Sequence, residues 1–72
     1  MDNEAANMCL QLEGVDRRDV VGQSFYMETG AVAKIIACNP RASHFKWTVE
    51  LDGKKAKCPT HDIDWATGPI PV

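Results

Sequence analysis

This sequence predicts a small, mainly β, antiparallel domain, and three adjacent features carry that prediction. From His44 to Leu51 apolar and polar residues alternate, with Phe45, Trp47, Val49 and Leu51 set against His44, Lys46, Thr48 and Glu50. That is the period of a strand with one buried face. Asp52-Gly53 follows at once, a pair that readily takes the positive φ angles of a type I′ hairpin turn. Lys54 to Cys58 should then return antiparallel, with Ala56 and Cys58 inward and Lys55 and Lys57 in water.

The other elements follow in chain order. Residues 1–7 are small, polar and acidic and read as a flexible tail. Met8, Leu10 and Leu12 alternate with Cys9, Gln11 and Glu13, which favours a short extended arm or strand, although Ala5, Met8, Cys9 and Leu12 also share a helical face. The charged run Asp16-Arg17-Arg18-Asp19, between Gly14 and Gly22, reads as a solvated loop or a single helical turn. Arginine there also has the fork geometry to grip a carboxylate or phosphate. Phe25 and Met27 flank Tyr26 in a strand, Glu28-Thr29-Gly30 is a turn, and Ala31 to Cys38 is a second strand, apolar on both faces.

Asn39 to Ser43 is a loop, because Pro40 cannot donate to a ladder and steers Asn39 out of the α region. After the hairpin, Pro59 to Trp65 reads as a 3₁₀ turn or short closing strand that offers Ile63 and Trp65 to the core. Residues 68–72, rich in proline, are an extended tail. Residues 8–67 then form one domain.

Composition narrows the class. Seventy-two residues make one domain, and a chain of this size buries only about 60% of its unfolded surface, so help from a partner, a metal or a second copy would be unsurprising. Hydrophobic content of 44% and charged content of 25% are ordinary for a globular protein. A net charge of −2 disfavours nucleic acid as a partner. No apolar run approaches the ~20 residues of a membrane span, and the acidic start Met1-Asp2-Asn3-Glu4 is unlike a secretory signal. Three cysteines, an odd number, fit free thiols and a cytoplasmic location.

At the level of strand order, Ser24 to Trp65 resembles the SH3-like small β-barrels: a first strand, a loop, a meander with one tight hairpin, a 3₁₀ turn and a short last strand. Tudor-type and KOW-type domains and the type II plasmid dihydrofolate reductases share this plan. The resemblance implies a small antiparallel barrel over 8–67, but fold alone does not assign a function. Lys55-Ala56-Lys57-Cys58 stands where the reductases carry their active-site strand, yet its composition differs from theirs, and that activity is not carried over.

Three constellations could carry chemistry. Cys58-Pro59-Thr60-His61 has C-x-x-H spacing, with Cys38 nearby and Cys9, His44 or Asp62 as further ligands. One intervening strand, however, would hold Cys38 about 10 Å from Cys58. The reading is therefore no metal and no cofactor, with Cys38 and Cys58 as small buried hydrophobes. His61, Asp62 and Asp64 lack a nucleophile beside them, so no catalytic site is expected, and Asp62 reads as a cap on the closing turn.

Recognition remains. Phe45 and Trp47 share the apolar face and belong to the core, which leaves Tyr26 and Trp65 as surface rings. His44, Lys46, Lys55 and Lys57 form a basic outer face, with Arg41 in the adjoining loop. The leading expectation is a non-catalytic protein-binding module that uses Tyr26, Arg41, His44, Lys46, Lys55, Lys57 and Trp65. Such a module would serve as a small regulator or inhibitor of a larger machine, a role that suits a phage or mobile element. The alternatives are a nucleic-acid-binding barrel and an oligomeric enzyme whose site forms between copies.

Overall fold

A computed structural model describes residues 2–16 and 18–71. Its elements are α1 (Asp2–Leu12), β1 (Ser24–Tyr26), β2 (Val32–Cys38), β3 (Trp47–Leu51), β4 (Lys54–Cys58) and a 3₁₀ turn, Thr60–Asp62. The strands form one antiparallel sheet in the order β1-β2-β3-β4, as the alternation and turn signals predict.

The hairpin follows its sequence signal. Asp52 and Gly53 have φ of 51° and 78°, the left-handed values a two-residue turn requires. Trp47 pairs with Cys58, Val49 with Ala56 and Glu50 with Lys55. Trp47, Val49 and Cys58 are buried, while Lys55 and Lys57 are exposed.

The N-terminal segment is a helix where an extended arm and a flexible tail were expected. Its inner face is Ala6, Cys9 and Leu10, all fully buried, while Met8 and Leu12 are exposed. The helix is stitched to the following loop by two asparagines one turn apart. Asn3 Oδ1 accepts the Val21 N–H at 3.0 Å, and Asn7 Oδ1 accepts the Arg18 N–H at 2.6 Å. It ends in a Schellman arrangement: Val15 N–H donates to Leu10 O at 2.8 Å and Gly14 N–H to Gln11 O at 3.1 Å. Gly14, at φ 75°, supplies the left-handed residue that this ending needs.

Two departures from strict alternation shape the sheet. The register slips between Ile35 and Ala37, so that Ile35 faces Val49 and Cys38 faces Trp47. This bulge brings Ile35 and Cys38 onto the same, inner face. Strand β3 also starts late. Asn39 N–H bonds Lys46 O at 2.7 Å and Lys46 N–H bonds His44 O at 3.1 Å, so residues 44–46 belong to the turning loop. Phe45 is accordingly 59% exposed and outside the core.

A disulfide joins Cys9 on α1 to Cys38 on β2. It replaces the free thiols expected for these two residues and ties the helix across the inner face of the sheet. Cys58 alone is free, and it is buried. The closing segment takes the 3₁₀ alternative; among the described residues no closing strand forms after it, and a single bridge ties Ile63 back to Met27.

Candidate functional site

The residues expected to meet a partner do not gather in one place. Trp65 is core, only 7% exposed. Its ring packs edge-on to Phe25 at 4.9 Å and tilted on Trp47 at 4.8 Å, and its indole N–H donates to Thr60 O at 3.0 Å. A ring so satisfied has no free face, which removes it from the surface set. Lys46 is also engaged, its Nζ donating to the carbonyls of Pro40 and Ala42 across the β2–β3 loop. Arg41 and His44 are exposed in that same loop.

Tyr26 is 42% exposed on the outer face, opposite Val32, which is 50% exposed. The pair lies on β1 and β2, across the full width of the sheet from β4. With strands about 4.8 Å apart, three steps separate Tyr26 from the lysines by roughly 14 Å.

What the fold does concentrate is positive charge along β4. Lys54, Lys55 and Lys57 are all exposed. Lys55 is opposite Glu50, which is in turn opposite Lys34, giving a row of alternating sign across three strands. Lys57 is opposite Thr48 and has no acid across from it. The net charge of the chain is −2, so this margin is a local reversal of sign.

The two edges of the sheet differ. On the β1 side the C-terminal segment supplies main-chain partners: Asp64 N–H to Tyr26 O, Glu28 N–H to Asp62 O and Ile70 N–H to Ser24 O, each at 2.8 Å. Among the described residues no main-chain hydrogen bond reaches the outer edge of β4. Its orientation follows from the turn. A two-residue hairpin makes Leu51 and Lys54 a hydrogen-bonded pair, and the pattern then alternates. Val49–Ala56 and Trp47–Cys58 are therefore bonded pairs, whereas Lys55 and Lys57 direct their N–H and C=O groups to the open edge. The Asp-Gly signal contained this phase, which sequence reasoning did not draw from it.

The other candidate chemistry is spent within the fold. Among the described residues no three His, Cys, Asp or Glu side chains converge as metal ligands would. Cys38 and Cys58 do flank Trp47 across one strand. Burial, followed by the nearby charge of Asp62, pushes the Cys58 thiol up to about 11, which leaves it protonated and unreactive near neutral pH. His61 lies 3.5 Å from Asp62 in an exposed pair. Asp62 does not cap the 3₁₀ turn, which closes through the Ile63 N–H on Thr60 O; Asp64 instead caps the turn that follows, accepting from the Thr67 hydroxyl and, at 3.3 Å, from its N–H. These bonds hold the Asp64 carboxyl below its usual range.

Arg17 lies outside the described residues. Arg18 sits 5.4 Å above the Phe25 ring and donates to the carbonyls of Trp65 and Gly68, so its fork serves the fold. On α1, Met8 and Leu12 leave an exposed apolar strip one turn long.

No protein-family model, no curated protein and no solved structure matches this chain. No helix among the described residues is long and apolar enough to cross a membrane.

Proposed function

We propose that this chain is a non-catalytic protein-binding module on an SH3-like plan, and that it docks an acidic protein segment along β4. The observation that carries this reading is the exposed run of Lys54, Lys55 and Lys57 on the uncovered edge of the sheet. Several other candidate groups are already engaged: Arg18, Lys46 and Asp64 bond within the chain, and Cys9 is joined to Cys38. The closing bridge between Met27 and Ile63 supports the barrel-like plan. A surface of this kind suits a small regulator of a larger assembly.

The test is capture of proteins from a lysate on the immobilised chain, in parallel with the variant Lys55→Glu/Lys57→Glu. A specific protein held by the parent chain and lost by the variant is the expected result. Three lysines support few phosphate contacts, so DNA or RNA oligonucleotides should not shift at ~0.15 M salt. Micromolar binding to an oligonucleotide at that salt, abolished by the same variant, would replace the protein-binding reading with a nucleic-acid one.

A further inference from the structure

We propose that β4 receives its partner as a fifth strand: an acidic, extended segment that adds antiparallel to the open edge, an inference that rests on the protein-binding reading above. An unpaired edge is a ready template for another strand, since its main-chain donors and acceptors lack partners. Among the described residues only the β4 edge is open, because residues 62–70 supply partners along β1.

The two residues that direct main-chain groups to this edge are Lys55 and Lys57, the same residues that carry the positive charge. In an antiparallel pair, a residue opposite Lys55 or Lys57 exchanges two main-chain hydrogen bonds with it and places its side chain on the same face. An incoming strand therefore sets residues i and i+2 beside the two lysines. The residue between them falls opposite Ala56, on the inner face near buried Cys58. The pattern that fits is acid, small apolar, acid. Opposite charges directly across a ladder stabilise it, and like charges destabilise it.

That last rule excludes a second copy of this chain as the occupant. Two β4 strands meeting about a two-fold axis would set Lys55 of one opposite Lys57 of the other. Lysine is also the usual guard of an exposed edge against indiscriminate pairing. On this edge the guard acts as a charge filter, rejecting neutral and basic strands and admitting an acidic one.

The probe is the acetylated and amidated peptide Thr-Glu-Val-Glu-Val-Thr, titrated into the labelled protein and followed by amide NMR. The expected result is saturable shifts at the Lys55 and Lys57 amides, with their hydrogen exchange slowed at least tenfold. N-methylation of both peptide glutamates should weaken binding at least tenfold, because those N–H groups face β4. N-methylation of the two valines, whose N–H groups face away, should change it less than threefold. Replacing the glutamates by lysine should abolish binding.

A variant gives a second reading on the protein itself. Lys57→Pro removes a donor that the hairpin does not use, so the fold should persist while binding of peptide and captured partner falls at least tenfold below that of Lys57→Gln. Where Lys57→Pro unfolds, the methylated peptides decide. If peptide binding ignores the position of methylation, strand addition is wrong, while loss of partner in Lys55→Glu/Lys57→Glu still upholds docking by charge. If neither the peptide nor any lysate protein binds, both readings fall.

Discussion

The indole N–H of Trp47 donates to the hydroxyl of Thr60 at 2.8 Å, inside the core. This bond joins the middle of the sheet to the 3₁₀ turn that closes it, and the Thr60 carbonyl takes the Trp65 indole as well. One buried threonine thus satisfies both tryptophans.

Thr60→Val keeps the shape of the side chain and leaves the Trp47 N–H buried without a partner, which costs about 1–3 kcal/mol. Trp47→Ala removes the largest fully buried side chain and should cost about 3–5 kcal/mol, enough to unfold a domain of this size. Thermal melts check both, and native stability in either variant would refute the placement of this ring.

Gly53 sits at φ 78° directly after Asp52 at 51°. A β-branched residue at this position is strained whatever the surrounding space. Gly53→Val should lower stability by about 1–2 kcal/mol, whereas Gly53→Asn, which tolerates the left-handed region, should cost much less. Equal melting temperatures for the two variants would show that the turn is of another type.

The sheet was legible because its signals are local. The alternation over Trp47 to Leu51 and the Asp-Gly pair lie next to each other in the chain and fix each other's phase. Reading failed where tertiary contacts override a short pattern. Met8 to Leu12 fits both periods, and helix won because Asn3 and Asn7 tie it to residues 18–21 and Cys9 ties it to Cys38. Gly14, as the left-handed residue past a helix end, was the missed local signal. Phe45 lost its strand to the loop closed by Asn39 and Lys46. The bulge at Ile36 leaves no mark in composition. Of the site, the lysine charges were legible, but the one-sided covering of the sheet depends on residues 62–70 folding back onto β1, a long-range event.

The Cys9–Cys38 bridge spans 29 residues of chain. By the loop-entropy relation, closing a loop of that length stabilises the fold by roughly 3.5 kcal/mol. Reduction, or the double variant Cys9→Ala/Cys38→Ala, should lower the unfolding midpoint in urea by a corresponding amount. The helix should detach first, because the four-stranded ladder does not depend on the bridge. A midpoint unchanged by dithiothreitol, with one equivalent of thiol titrated after unfolding in both samples, would show that reduction had not occurred; three equivalents with an unchanged midpoint would show that the bridge contributes nothing.

Gly68 lies against the buried Phe25 ring, where an added Cβ would overlap Phe25 Cδ2. The ring has no room to yield, being held edge-on by Trp65 and covered by Arg18. Gly68→Ala should therefore cost about 1–3 kcal/mol, the range for overpacking a core. Gly30→Ala meets no atom and loses only the left-handed preference, so it should be the milder of the two. A reversed order in thermal melts would place Gly68 away from the ring.

Cys58 supplies a pH dependence in the alkaline range. Burial, then the charge of Asp62, raises its thiol to about 11 from an ordinary value of 9.0. The folded state therefore holds its proton over a range where the unfolded chain gives it up. The unfolded state binds fewer protons between the two values, so stability falls as pH rises. The contribution is complete below about pH 9 and is lost as pH climbs towards 11. Cys58→Ser or Cys58→Ala should flatten the decline in melting temperature over that interval relative to the parent. In the native protein a thiol reagent at pH 7.5 should label Cys58 only at the rate of global unfolding, and rapid labelling would show the thiol to be accessible and ionised.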